Sequence, residues 1–282
     1  MANIVVAGAT GYLGRFMVAE LARRGHRVRA LARPGKRVEA AAEIFEAEAT
    51  RPETLRGLCE GADLVFSSLG ITRQTDGLTF EDVDYHANAN VLAEAISAGV
   101  QRFGFVSVVS PEVFAGSALV RARERFVAEL VRAPIPATVI RSTGFFNDIE
   151  EPFEMARKGR VFLVGDGSAR INPIHGADLA YACAEALDAG EATRSVGGPE
   201  TLTWDEVAAL AFRVLDKPRR VTHVPGWTVA AVLPALRLVN RRAYDIATFV
   251  RTVMTHDIVG SPTGTHRLED YFLELAQKGA HA

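Results

Sequence analysis

Seven residues near the start of the chain, Gly8-Ala9-Thr10-Gly11-Tyr12-Leu13-Gly14, have the types and spacing to hold a phosphate. They follow a short apolar, β-branched run, Asn3 to Ala7, and precede a segment, Arg15 to Arg24, with Phe16, Met17 and Leu21 at helical spacing. The glycines therefore fall between a buried strand and a helix N-terminus, where exposed backbone N–H groups and the helix dipole favour an anion. Gly8 permits the tight turn, Gly11 lets a pyrophosphate approach the backbone, and Gly14 lets helix and strand pack closely. The pattern is GxxGxxG rather than GxGxxG, so the expectation of a dinucleotide rests on the strand-turn-helix context. A second group ends the next strand, at Ala32-Arg33-Pro34-Gly35-Lys36-Arg37. A site for NAD usually offers a carboxylate there to the adenosine ribose. Here Arg33, Lys36 and Arg37 could instead surround a 2′-phosphate, which favours NADP(H) over NAD(H); the alternative is a solvated basic turn. Ser67, Leu69 and Gly70 end the fourth strand, where the backbone should pass under the cofactor and Gly70 allows close approach.

The elements that must position these groups alternate regularly. Strand patterns at His26 to Ala32, Glu43 to Ala47, Asp63 to Ser67, Arg102 to Ser107 and Ala137 to Arg141 are separated by helix patterns. These lie at Pro52 to Cys59, Val83 to Ala98 and Ala118 to Arg132. Such alternation predicts an α/β chain with a doubly wound, parallel, Rossmann-type sheet. The expected division is a dinucleotide-binding core over 1–150 and a smaller C-terminal, substrate-side region over 151–282, woven onto the core. That region includes a short strand at Val161 to Val164, helices at Ala177 to Leu187 and Thr203 to Leu215, and a helical, apolar tail from Val224 to Asp257. The net charge of −2 leaves no electrostatic footprint for nucleic acid. Cys59 and Cys183 lack metal-ligand spacing and read as buried free thiols of a reducing compartment. No basic region precedes an apolar stretch at the N-terminus, so a cytoplasmic location is expected.

Six segments together resemble the short-chain dehydrogenase/reductase superfamily, in particular its atypical, NmrA-like branch. They are GATGYLG (Gly8 to Gly14), GADLVFSSLG (Gly61 to Gly70), NANVLAEAISAGVQRFGFVS (Asn88 to Ser107), TVIRSTGFF (Thr138 to Phe146), INPIHGADLA (Ile171 to Ala180) and VGGPETLTWDEVA (Val196 to Ala208). The GFF and NPIH stretches look most like its divinyl-reductase and NAD(P)H-reductase members. The resemblance implies a nicotinamide dinucleotide across the strand C-termini and a substrate pocket capped by the C-terminal part. It also implies that Arg33 matches an arginine of NADP-using relatives, and that Glu48 takes a place where relatives put an acid beside the adenine. Asn88 is read as structural first.

Most of that superfamily reduces carbonyls with a Tyr and a Lys four residues apart, the phenol donating a proton to the alkoxide while the lysine lowers its pKa. The corresponding helix, Ala118 to Arg132, contains neither residue. Relatives of the atypical group resemble AKERF here, which sets Arg123 in the place of the lysine and Leu119 in the place of the tyrosine. Arginine can hold ribose or pyrophosphate but is no proton donor near neutral pH. The remaining candidates for chemistry are Ser107 and Arg123, with Ser110, Arg141, Thr143, Asn147 and Asp148 nearby in sequence. His175 is the one histidine considered for acid-base work, with Asp178 as a helix cap behind it.

The expected function is NADPH-dependent hydride transfer to a small, apolar, conjugated or quinone-like substrate. The rival is a catalytically silent NADP(H)-binding redox sensor or assembly factor. The apolar stretch Pro225 to Val239, followed by Asn240-Arg241-Arg242, is too short and Pro-broken to span a membrane. It could cover the pocket, form a dimer contact or lie on a membrane surface. The oligomeric state is open.

Overall fold

The structure is a computed structural model that describes residues 1–71 and 77–280. In chain order its regular elements begin with β1 (Asn3–Ala7), α1 (Tyr12–Arg23), β2 (Arg27–Ala32), β3 (Glu43–Glu46) and β4 (Leu64–Ser67). A π-helix (Glu81–Ala87) runs into α2 (Asn88–Ser97), followed by β5 (Arg102–Val108), α3 (Ala118–Arg132) and β6 (Ala137–Ser142). Then come α4 (Glu150–Arg157), β7 (Val161–Val164), β8 (Arg170–Ile171), α5 (Gly176–Asp188) and β9 (Thr193–Val196). The remainder is β10 (Leu202–Thr203), α6 (Trp204–Val214), β11 (Val221–Val224), α7 (Gly226–Val239), α8 (Arg241–Thr255) and α9 (Leu268–Ala280).

The chain forms two compact units. The first comprises 1–108, 118–141 and 179–195, and the second 109–117, 142–178 and 196–282. A single cut at residue 150 therefore does not describe the division.

The first unit is built on a seven-stranded parallel sheet in the order β3-β2-β1-β4-β5-β6-β9, a Rossmann-type arrangement. The central strands β1, β4 and β5 are near-continuous apolar runs because both faces are covered, whereas β3 at the edge alternates. Val65, Phe103 and Phe105 pack with Leu92 of α2 and Phe126 and Leu130 of α3. On β5, Gly104 has no room for a side chain, since a Cβ would lie 2.7 Å from Leu187 of α5. The strand order reverses between β1 and β4, which leaves a crevice beyond their C-terminal ends.

Two expectations for helices change. The pattern from Val83 to Ala98 begins earlier, and its first two turns are widened into the π-helix. Asn88 explains this: its Nδ2 donates to the Val83 and Asp84 carbonyls at 3.1 Å, while its Oδ1 accepts from Ser67 Oγ at 2.6 Å. One buried amide thus ties the widened turns to the end of β4. The helix expected from Pro52 is only a 3₁₀ turn, Pro52–Thr54.

In the second unit, β8 pairs antiparallel with β10, and β7 pairs parallel with β11. Asn172 is fully buried and clamps two loops, its Nδ2 donating to Gly198 O and Gly260 O and its Oδ1 accepting from Gly260 N. Thr203 and Glu206 form a reciprocal cap at the start of α6. The apolar tail is not one helix. It breaks at Asn240, which leaves helical geometry and caps α8 by accepting from Ala243 N at 3.0 Å.

Asn88→Ala would orphan the buried carbonyls inside the π-helix and the Ser67 hydroxyl. It is expected to lower the unfolding free energy by about 2–3 kcal/mol in urea titration, with an unchanged slope. A loss below about 0.5 kcal/mol would contradict this role.

Candidate dinucleotide site

The turn after β1 and the segment after β4 meet at the strand-order reversal, and both are shaped by missing side chains. Gly8 takes φ +79°, and a Cβ there would lie 2.9 Å from Ser68 Oγ and 3.0 Å from Leu69 N. Gly14 sits in the first turn of α1, where a Cβ would lie 2.0 Å from Gly8 O. The turn is closed by Gly11 N donating to Gly8 O at 2.9 Å. Gly11 is the N-cap of α1 and no side chain caps that end. The amides of Tyr12, Leu13 and Gly14 precede the first helical hydrogen bond, from Arg15 N to Gly11 O, so the helix start presents N–H groups suited to an anion.

A crevice of about 190 Å³ is lined here by Gly8, Thr10, Gly11, Arg33, Glu48, Leu69 and Gly70, with Leu31, Ala32 and Ile71 among its other walls. It is smaller than a typical whole-ligand pocket, and its lining runs from the basic end of β2 past the glycine turn to the end of β4. That path suits the adenosine and pyrophosphate half of a dinucleotide. A larger hollow of about 800 Å³ belongs to the second unit, but Asp166 and Asp257 on its walls would repel a pyrophosphate.

The other expected contacts are placed as follows. Leu13 is buried, so only its backbone is offered to a ligand, and Tyr12 packs edge-on to Phe16 at 5.3 Å. Arg33 is exposed at the end of β2. Lys36 is exposed one turn further on, its N–H donating to Arg33 O, and is not on the crevice wall. Ser67 lies beneath the crevice rather than in it, fully buried and bonded to Asn88.

Arg123 turns inward from α3. Its Nε lies 2.8 Å from Asp84 Oδ1, and its Nη1 donates to Val106 O at 2.8 Å. Its Nη2 occupies the space a side chain at Gly70 would need, 1.8 Å from where a Cβ would stand. The guanidinium therefore lies directly against the backbone at the end of β4. Asp84 is fully buried. Its Oδ1 meets Arg123 as an ionic contact without an aligned hydrogen bond, while Oδ2 accepts from Ile71 N at 3.3 Å. Burial pushes the Asp84 carboxyl up to about 6, against the opposing pull of Arg123.

Ser107, at the end of β5, is buried and donates to Glu124 Oε1 at 2.6 Å, and Arg141 donates to the same oxygen. Neither Asp84 nor Glu124 stood out in the sequence, since each is one acidic residue in a helix carrying several charges. His175 belongs to the second unit, stacked on His266 with ring centroids 4.2 Å apart, its Nδ1 accepting from Ala177 N. Burial, and secondarily the charge on His266, hold its imidazole below the ordinary range. Asp178 lies in the first turn of α5 and also reaches beyond it. It accepts from the Thr265 and His266 amides and pairs with the His266 ring, which pins the loop before α9. Both cysteines are buried free thiols, and burial pushes Cys59 up to about 12.

The folded-state value of Asp84 lies above its ordinary 3.8, so its protonated form favours folding. That contribution is complete below pH 3.8 and is lost as pH rises through about 6. Asp84→Asn is expected to remove a drop in unfolding free energy on the order of 2 kcal/mol between pH 4 and pH 7. Parallel stability profiles for the two proteins would contradict this placement.

A family model described as NAD(P)H-binding matches residues 8–189, well over half of the chain. Divinyl chlorophyllide a 8-vinyl-reductase of rice (Oryza sativa subsp. indica) is 30% identical over 274 residues, covering 88% of this chain and 68% of that protein. The photosystem II assembly factor Ycf39 of Trieres chinensis is 25% identical over 231 residues, covering 79% of this chain and 72% of the relative. Among solved structures, the NADPH-dependent quinone oxidoreductase QOR2 of Escherichia coli, complexed with NADPH, superposes with a TM-score of 0.69 at 19% identity. That superposition covers 96% of this chain and 99% of that one, and shows a shared fold. The matched region takes in both glycine segments and the helix that carries Arg123, and the chain belongs to the NAD(P)H-binding oxidoreductase family, in the NmrA-like group of atypical short-chain dehydrogenases/reductases.

Proposed function

We propose that the protein is an NADPH-dependent oxidoreductase that delivers hydride to an apolar, conjugated or quinone-like acceptor without a Tyr-Lys pair. The observation that carries this reading is the content of α3. Leu119, at the position that the resemblance gives to the phenol, is buried, and Arg123, at the position it gives to the ammonium, is held by Asp84 and Val106. The cofactor crevice is meanwhile intact.

A reduced dinucleotide held in that crevice by the glycine turn and Arg33 would supply a hydride. A simple ketone would then place a full charge on one alkoxide oxygen, and reduction would need a positioned acid. A quinone or conjugated alkene spreads the same charge over the π-system, and water can supply the proton. Hydride plus that proton account for the two electrons and two hydrogens gained by the acceptor, leaving NADP+. Arg123, paired with Asp84, would hold its guanidinium against Gly70, where the backbone would pass under a bound cofactor. Ser107, Glu124 and Arg141 form a polar cluster at the end of β5 that fixes the Ser107 hydroxyl.

The preference for NADPH rests on Arg33. It lines the crevice at the end of β2, where a residue for NAD would be acidic. The carboxylate on the wall is Glu48, beyond the end of the following strand. Glu46 is engaged with the Gly35 amide at 3.1 Å.

Calorimetric titration of Arg33→Ala should show NADPH affinity reduced about 10- to 100-fold and NADH affinity changed less than about threefold. Equal losses for both would contradict the phosphate role. Wild-type protein should consume NADPH when quinones or conjugated enones are added. Tight binding with no turnover on either class would contradict the enzyme reading in favour of a redox sensor.

A further inference from the structure

Among the described residues, nothing covers the outward face of α7. Leu233 is buried and Val229 and Leu236 are half-buried on the side that packs against α8. The opposite side carries Trp227, Ala231, Pro234, Ala235 and Leu238, at spacings of four, three, one and three residues that keep them on one helical face. Trp227 is 74% exposed and Leu238 is 89% exposed, with Val232 and Val239 at 61% and 86% on the shoulder. Exposed apolar residues scattered singly need no explanation, but a contiguous uncharged stripe on one helix does.

The charge on α7 itself and on the turn after it has one sign, while Asp166 and Asp257 line a hollow at its N-terminal end. From Lys217 to Tyr244 the chain has no acidic residue, in a protein whose net charge is −2. Arg237, Arg241 and Arg242 gather at the C-terminal end of the helix, and Arg237 lies over the Tyr244 ring at 5.8 Å. At 14 residues α7 is about 21 Å long, too short to cross a bilayer, and no described helix is long and apolar enough to do so.

We propose that α7 is an interfacial helix that docks the protein onto an anionic lipid surface. Trp227 and Leu238 enter the boundary between headgroups and acyl chains, and the three arginines lie against the headgroup phosphates. The common positive sign favours this occupant over a second copy of the chain, which would bring the same arginines into its own field. The inference does not depend on the dinucleotide or its chemistry.

The test is sedimentation of the full chain with phosphatidylcholine vesicles, with and without about a third phosphatidylglycerol. Emission from Trp227 is followed at the same time. The chain has two tryptophans, and Trp204 is buried with its Nε1 donating to Val253 O at 3.0 Å, so a change on binding reports Trp227. The expected result is binding to the anionic vesicles with a blue shift. Leu238→Asp should weaken it about tenfold or more while leaving NADPH affinity and the unfolding midpoint unchanged. Arg241→Glu with Arg242→Glu should remove the preference for anionic lipid. Wild-type protein that stays in the supernatant, or Leu238→Asp that sediments as wild type does, would overturn the proposal. So would a dimer that Leu238→Asp dissociates without any binding to vesicles.

Discussion

The arrangement depends on a steric constraint at the reversal of strand order: three positions have no room for a Cβ. Gly8 presses against the backbone of Ser68 and Leu69, Gly14 against the Gly8 carbonyl, and Gly70 against the Arg123 guanidinium. The first two contacts draw the start of α1 down onto the end of β1 and bring the β4 segment beside it. The glycine turn that leads into α1 and the loop after β4 then line one crevice. A side chain at any of the three would force backbone or the half-buried Arg123 guanidinium to move, so binding geometry and packing cannot be varied independently here.

The third contact joins a guanidinium to a buried carboxylate at the end of β4. A buried carboxylate and a guanidinium are costly to desolvate, and their mutual attraction repays this only in a fixed geometry. Here the geometry is fixed from three sides. Asp84 comes from a π-helix that Asn88 holds open, Arg123 comes from α3, and the Val106 carbonyl on β5 takes a second guanidinium N–H. In the proposed reading, Arg123 stands in for the superfamily's lysine and the buried Leu119 for its phenol. A site of this kind retains electrostatic positioning and lacks a strong proton donor. In the proposed reading, that balance suits acceptors whose reduced forms delocalise charge.

Much of this was legible in the residues. Strand patterns over Asn3 to Ala7 and Val161 to Val164, and the helix Ala118 to Arg132, have the bounds that apolar periodicity and flanking turns predict. The glycine turn was legible because its function depends on backbone freedom, which only one residue type supplies. Less legible were features decided by distant partners. The π-helix follows from one asparagine side chain that competes for carbonyls of its own helix, and propensity does not register that. The break at Asn240 is a capping event inside a continuous apolar run, where periodicity carries no mark of it. Asp84 and Glu124 acquire their significance from Arg123, Ser107 and Arg141, which lie 17 or more residues away along the chain. The second unit was the hardest to place, because the chain enters it at 109–117 and 142–178 before its final passage.

The central claim is that a nicotinamide dinucleotide lies with its pyrophosphate on the start of α1 and passes over Gly70. Backbone amide resonances of the isotopically labelled protein, followed as NADPH is added, test it most directly. The account predicts the largest shifts at the amides of Thr10 to Gly14 and Ser68 to Ile71, saturating together with one binding curve. Saturable shifts confined to other residues, with these amides unmoved, would contradict it.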